Sequence, residues 1–285
     1  MSRLEFRSVW ISDVHLGTRD AQVAYLLDFL RHVKCDYLYL VGDIIDIWKV
    51  KSGWYWPALN NELIREVVEK ARQGTRVIYV PGNHDEMLRD YVGGQFYGIE
   101  LHHQIEHRTA DGRTFLVLHG DEFDCVVRHS KWLAYVGGEA YDRLLILNRW
   151  FNRLRRRLGF SYWSLSAYIK YRVKNAVQYI GDFESAVARE ARRRGADGVI
   201  CGHIHHARIA EFDGIYYGNS GDWVESCTAL AEDASGELRL IRWTEESALL
   251  TTEPDALAAG DTILAPVSIT INREPAAASR QLART

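Results

Sequence analysis

A chain of 285 residues, 47% hydrophobic and 26% charged, has the make-up of a soluble globular protein, with room for one large α/β domain or a domain carrying a sizeable insertion. A net charge of −3 and a pI of about 6.4 argue against a general nucleic-acid binder, which needs a basic excess to meet phosphates.

In chain order, Met1–Glu5 runs into a strand without the apolar core of a signal peptide. Arg7–Ser12 reads as the first strand. Asp20–Val33 reads as a helix with Val23, Leu26, Leu27 and Leu30 at helical spacing, and Tyr37–Val41 as the second strand. Trp48–Pro57 reads as a loop carrying Trp54, Tyr55 and Trp56. Asn60–Arg72 reads as a helix closed by Gly74, and Arg76–Val80 as the third strand. This β-α-β-α-β opening predicts right-handed crossovers and a mostly parallel sheet. From Ile99 the runs shorten to Ile99–His102, Gln104–Arg108 and Thr114–Leu118, with Asp111-Gly112 marking a hairpin. A second, more antiparallel sheet is expected to begin there. Gly198–Cys201, Ile215–Tyr217, Thr228–Ala231 and Glu237–Trp243 are expected to continue it, the last two joined by the turn Asp233–Gly236. The predicted architecture is two sheets packed face to face with helices outside.

The stretch Val126–Tyr179 interrupts the strands with helix. Arg143–Lys174 contains nine Arg or Lys and no acidic residue. Leu147, Phe151, Leu154 and Leu158 share one helical face, while Arg149, Arg153, Arg156 and Arg157 lie mainly on others. Such a basic, aromatic, amphipathic helix suits contact with a membrane interface; a solvated cationic face on a helix packed against the core is the plainer alternative. The division expected is therefore a core at 1–125 and 180–244, an insert at 126–179, and an Ala-rich irregular tail at 245–285, in which Thr262–Ile271 has strand character. No run reaches the ~18 apolar residues of a spanning helix. Cys35, Cys125, Cys201 and Cys227 lack any Cys-x-x-Cys spacing, so a reducing cytosol is the expected compartment and neither export nor a membrane span is predicted.

Chemistry-bearing residues gather directly after the strands, where α/β sheets place their sites. Asp13 and His15 follow the first strand, Gly42-Asp43 and Asp46 the second, and Gly82-Asn83-His84-Asp85 the third. His119-Gly120-Asp121 follows Thr114–Leu118, and Gly202-His203-Ile204-His205 follows Gly198–Cys201. Alone, an Asp after a strand is usually a helix cap and a His beside an apolar run a core residue. Five such signals in order point to metal. Two divalent cations about 3.5–4 Å apart need a shared carboxylate to offset their repulsion, and Asp43 is the natural bridge. Asp13, His15 and one late histidine complete one site; Asn83, His119 and the other late histidine complete the second. Mixed imidazole and oxygen ligation suits Mn, Fe or Zn better than Ca. Water held between two such cations is acidified towards neutrality and made nucleophilic.

These five motifs resemble the calcineurin-like metallophosphoesterase superfamily and span Asp13–His205. The resemblance implies an α/β fold, a four-layer α-β-β-α sandwich. It also implies ligands: Asp13, His15, Asp43 and His205 for one metal; Asp43, Asn83, His119 and His203 for the other. His84 is implied as the group that hydrogen-bonds the phosphoryl or leaving-group oxygen, Asp46 as the carboxylate orienting it, and Asp85 as support rather than ligand. No ligand position is missing, which argues against a non-catalytic relative.

Within that superfamily the chain is similar to the UDP-2,3-diacylglucosamine hydrolases of lipid A synthesis. The shared features are its compact length, Ser12–Gly17 (Ser-Asp-Val-His-Leu-Gly), the His-Gly-Asp at His119, and a helical insert before Gly202-His203-Ile204-His205. The resemblance implies an insert that holds acyl chains and work at the inner face of the cytoplasmic membrane. It further implies two divalent ions, Mn first, and water attack on the α-phosphorus to release UMP and the lipid 1-phosphate. Trp150, Phe151 and Leu154 would then face lipid, and Lys174 and Asn175 the substrate phosphate or sugar, against the plainer reading of an ordinary helix surface. One position departs. The established hydrolases carry Arg as the third residue of Gly-Asn-x-Asp, whereas this chain has His84, a titratable donor in place of a permanent fork. That leaves open another lipid or a soluble phosphodiester as substrate. A module that keeps metal only for structure is the rival from another class. His102, His103, His107, His129 and His206 match no motif and are expected to be structural or exposed.

Overall fold

The computed structural model describes residues 4–53, 55–125 and 165–252. Trp54, His129, the basic face at 149–157 with Trp150, Phe151 and Leu154, and the 262–271 stretch lie outside the described residues, as do the side chains of Lys174 and Asn175.

Strand β1 (Leu4–Ile11) leads through α1 (Val23–His32) to β2 (Val33–Val41), and α2 (Ile47–Ser52) and α3 (Ala58–Arg72) lead to β3 (Arg76–Val80). The edge strands β4 (Gln95–Phe96) and β5 (Ile99–Leu101) follow, then β6 (Ile105–Arg108) and β7 (Thr114–Val117). After α4 (Leu165–Arg193) come β8 (Gly198–Cys201), β9 (Arg208–Phe212), β10 (Ile215–Asn219), β11 (Thr228–Glu232), β12 (Leu238–Arg242) and α5 (Trp243–Thr252).

Local sequence explains most of these bounds. α1 buries Val23, Leu26, Leu27, Phe29 and Leu30, one apolar stripe, and passes straight into extended backbone at Val33. β2 therefore starts four residues before Tyr37, its first turn alternating buried and exposed along Val33–Asp36. At the far end of α3, Gly74 takes φ +100° and ends the helix as expected. The Trp48–Pro57 loop is corrected in its first half: Asp46 accepts a hydrogen bond from Lys49 N at 2.8 Å and caps α2.

The seven-stranded sheet has the order β12-β11-β1-β2-β3-β5-β4 and the five-stranded sheet β6-β7-β8-β10-β9. β1, β2, β3 and β5 run parallel, as do β7, β8 and β10. This corrects the expected membership of the second sheet. β5, β11 and β12 belong to the first, with β11 antiparallel to β1 (Val9 opposite Ala231). A run of apolar residues specifies a strand, but its partner is chosen by long-range packing. β9 and β4 were not foreseen. β9 pairs with β10 through Asp213 and Gly214, both at positive φ (49° and 82°), the Asp-Gly hairpin signal again.

Three apolar layers result. Trp10, Tyr39, Val41, Ile78, Val80, Phe115, Val117, Ile200 and Leu230 fill the space between the sheets. Phe29, Leu30, Leu63, Val67, Trp223 and Trp243 join the first sheet to its helices. Phe183, Val187 and Ala191 of α4 cover the second sheet. This is the α-β-β-α sandwich. Each fully buried side chain of Leu or Phe size contributes about 1.5–3 kcal/mol. Two boundaries change. α4 runs through the 179/180 division between insert and core, and the tail expected to be irregular from 245 is helical as far as Thr252. Trp243 causes the latter, being fully buried against Phe29 at a 5.2 Å ring separation.

Candidate metal centre

Because β1, β2, β3, β7 and β8 are parallel within their sheets, their carboxyl ends form one rim, and the loops leaving them are sewn together by backbone. Asp13 N bonds Gly42 O at 3.0 Å, His15 N bonds Asp43 O at 2.9 Å, and Gly202 N bonds His119 O at 3.1 Å. Five of the predicted ligands sit in the left-handed region: Asp13 (φ 53°), His15 (54°), Asp43 (53°), His203 (71°) and His205 (52°). That conformation costs a non-glycine residue energy and persists only where surroundings enforce it, as at functional sites. Glycines make the approach possible. A Cβ on Gly82 would strike the Asp43 carboxylate and the His119 ring, and one on Gly202 would come within 2.5 Å of Asp13 Oδ2.

Among the described residues, ligand atoms of Asp13, His15 and His205 converge within 4.8 Å of one another, and so do those of Asp43, His119 and His203. Each group holds three of the four residues expected for one metal. In the first, His205 Nε2 lies 3.2 Å from Asp13 Oδ1 and 3.4 Å from His15 Nε2. In the second, His119 Nε2 lies 3.4 Å from Asp43 Oδ2. Asp43 Oδ1 accepts the backbone N–H of His84 at 2.7 Å, which leaves Oδ2 as the oxygen facing His119. Metals fit this rim on a further observation. Asp13 Oδ1, Asn83 Oδ1 and His119 Nε2 are buried and lack a hydrogen-bond partner among the described residues, a cost that protein interiors accept where a ligand compensates it.

The tautomers follow from what each ring touches. His119 Nδ1 faces the carbonyl of Val41 at 2.9 Å; a carbonyl only accepts, so Nδ1 carries a proton and Nε2 is the nitrogen turned to Asp43. A third group, His15, Asp46 and His84, is an orienting cluster. Asp46 Oδ2 lies 3.4 Å from His15 Nδ1 and 3.0 Å from His84 Nδ1, so both rings turn Nε2 away from it. One carboxylate thus caps α2 and holds the rings of both His15 and His84. Asp85 is support, as expected: it accepts from Gly82 N (2.6 Å), Ile44 N (2.9 Å) and the Tyr79 hydroxyl (2.5 Å), pinning the Asp43 turn.

Carboxylates and imidazoles shift one another across the rim. Burial disfavours the His119 cation, but Asp43 outweighs it and pushes the imidazole up to about 10. Burial likewise opposes charge on His205, and Asp13 pushes it up to about 9. Burial opposes ionisation of Asp13, yet His205 holds its carboxyl well below the usual range. His203 goes the other way: burial, then the charge on His119, push it down to about 3. At His84 burial is outweighed by its bond to Asp46, which raises it and favours a proton donor.

The predicted Asp and His residues therefore converge at the rim in these groups, while Asn83 is placed only by its buried, unpartnered Oδ1. Asp121 of the His-Gly-Asp motif does not join them; it pairs with Arg89 Nη2 at 2.8 Å. Three features went unread. Trp48, 47% exposed, lies against His84 with ring centroids 4.4 Å apart. Asp124 meets His203. The Gly218–Asp222 stretch at the carboxyl end of β10 braces the rim through Ser220 Oγ, 2.7 Å from Ser12 Oγ, and Asn219 Nδ2, which donates to Gly202 O at 2.7 Å. Gly-Asn-Ser-Gly-Asp after an apolar run was the available signal for this last one.

Comparison with known proteins agrees. The model of the calcineurin-like phosphoesterase family matches residues 6–207. UDP-2,3-diacylglucosamine hydrolase of Neisseria meningitidis serogroup B is 27% identical over 226 residues, covering 75% of this chain and 88% of that protein. The enzyme of the same name from Porphyromonas gingivalis is 28% identical over 133 residues, covering 41% and 50%. Among solved structures, a hypothetical protein of Pyrococcus horikoshii aligns over 88% of this chain and 95% of that one, at 10% identity and a TM-score of 0.45. The chain belongs to the calcineurin-like phosphoesterase family, the metal-dependent phosphoester hydrolases, and carries candidate metal-ligand clusters on one rim.

Proposed function

We propose that this enzyme hydrolyses the diphosphate of a lipid-linked nucleotide, UDP-2,3-diacylglucosamine, to UMP and 2,3-diacylglucosamine 1-phosphate. The observation that carries the reading is the likeness to hydrolases of that name along three quarters of the chain, 75%, joined to the rim described above. Asp13, His15, Asp43 and His205 would hold one divalent ion, and Asp43, Asn83, His119 and His203 the other, Mn being the first choice for this donor set. Bound there, the ions supply Lewis acidity to phosphoryl oxygens and acidify the attacking water. The protein's own part is positional. Asp46 fixes His15 and His84 together, and a protonated His84, its Nε2 turned away from Asp46, donates to the phosphoryl or leaving oxygen. Trp48 walls the same side.

The enzyme works at the inner face of the cytoplasmic membrane in this reading, supported by the nine cationic residues of Arg143–Lys174. Among the described residues no helix is long and apolar enough to cross a membrane. His84 favours a second reading, a phosphodiester on another lipid or a soluble molecule, because a histidine suits one ionised phosphate better than a forked contact to two.

A phosphorus NMR product assay in oxygen-18 water, comparing UDP-2,3-diacylglucosamine with a simple aryl phosphodiester, separates the two. Label in UMP supports the proposal. Turnover of the diester alone selects the second reading, and label in the lipid phosphate refutes attack at the α-phosphorus.

A further inference from the structure

Asp124 belongs to none of the five motifs, yet it reaches the rim. It lies in the short 3₁₀ segment Asp121–Cys125, and its side chain is 7% exposed in spite of its charge. Oδ1 is 2.9 Å from Nε2 of His203 and accepts the hydroxyl of Tyr179, from α4, at 2.8 Å. The His203 ring is held on two more sides: His119 meets it edge-on at 5.1 Å, and Phe183 lies 6.0 Å away. Asp124 is not itself in the ligand group formed by Asp43, His119 and His203.

Hydrogen-bond chemistry turns this contact into an assignment. A carboxylate has acceptors only, so the nitrogen facing Asp124 carries the proton and the other nitrogen is bare. His119 is fixed in the opposite sense by Val41. Two histidines of one metal site thus offer different nitrogens, each chosen by the partner behind the ring. Partners of this kind set ligand orientation and basicity, and their loss typically weakens metal binding about 10–100-fold.

We propose that Asp124, steadied by Tyr179, is the positioning residue of His203, locking the imidazole as its Nε2–H tautomer so that Nδ1 serves as ligand. The tie also joins α4 to the metal rim, since Tyr179, Phe183 and Glu184 of one helix touch Asp124, His203 and Arg208 in turn. The inference rests on the two-ion reading of the rim, and the test keeps the two apart.

Mn²⁺ titration of the metal-free wild type comes first, by calorimetry. Two ions per chain sustain the two-ion reading, and fewer overturn it whatever Asp124 does. Long-range ¹H–¹⁵N spectra of metal-free, ¹⁵N-histidine-labelled wild type, with His203 assigned by its loss in His203→Gln, are expected to show the Nε2–H tautomer. An Nδ1–H signal overturns the proposal without any change at Asp124. Asp124→Ala is expected to weaken one of the two ions about 10–100-fold and leave the other within about threefold. Asp124→Asn, which keeps an acceptor oxygen, is expected to restore most of that loss, and Tyr179→Phe to cost only a few-fold. Unchanged binding of both ions in Asp124→Ala overturns the assignment. So does equal weakening of both in Asp124→Asn with its melting temperature unchanged.

Discussion

Two buried polar clusters occupy this sandwich, and they differ in completion. At the rim, Asp13 Oδ1, Asn83 Oδ1 and His119 Nε2 are buried without a hydrogen-bond partner among the described residues, and five candidate ligands hold left-handed backbone. Between the sheets, towards the start of β1, Glu232 is wholly buried but fully met. It accepts from Arg7 Nη1 (2.9 Å), Ser8 Oγ (2.6 Å) and Ala110 N (2.7 Å), and contacts His107 Nε2 at 2.8 Å. His107 in turn lies 2.8 Å from the Tyr39 hydroxyl and edge-on to Trp10, and neither Glu232 nor His107 has positive φ. A polar cluster that satisfies itself fastens sheets together; one left incomplete under enforced backbone strain is built for something that arrives later.

The sharpest break of that contrast is His203→Ala. Turnover is expected to fall by roughly three orders of magnitude or more, while thermal melting stays close to wild type, because apolar layers and not metal hold the sandwich. Near wild-type rates with added Mn²⁺ would remove His203 from the ligand set. Glu232→Ala is expected to do the reverse. Leaving His107 and Arg7 without their carboxylate costs about 3–5 kcal/mol in urea unfolding, with kcat unchanged at temperatures where the variant is folded. A loss of activity without loss of stability would erase the distinction between the clusters.

Asp46→Asn is a finer probe, since it keeps the shape but removes the charge behind His15 and His84. kcat is expected to drop about 10–100-fold with the α2 cap largely retained, read from rate measurements beside circular dichroism. Equal rates would show that His84 needs no carboxylate.

The smallest effect concerns pH. His205 and His119 are raised to about 9 and about 10 in the metal-free chain. The stabilisation their pairs provide is complete below the unfolded histidine value of about 6.5, and drains away as pH rises through those two values. Metal must displace the same protons, so Mn²⁺ affinity is expected to climb from pH 6 to 9 with measurable proton release. A flat affinity over that range would contradict the pairings at the rim.

How far the sequence reached differs between these clusters for the same reason. The rim was readable because parallel strands put their ends on one edge, so ligands appear directly after apolar runs: Asp13 after β1, Asp43 after β2, His119 after β7 and His203 after β8. His107 and Glu232 carry no such mark. They sit inside strands 125 positions apart, and nothing local tells a buried network from an exposed pair. Asp124 was missed likewise, since its meaning depends on a ring nitrogen supplied from another loop.

By itself, the amino-acid order determined the strand runs, the five ligand-bearing loops, the glycines that let them close, and so the class of chemistry; all are set within a few residues by periodicity and steric need. Only the tertiary structure decided which sheet β5, β11 and β12 join, that α5 docks through Trp243, and which nitrogen of His119 meets the Val41 carbonyl. Those choices depend on partners distant in sequence, and a strand's apolar pattern or a histidine's identity is compatible with several of them until packing selects one.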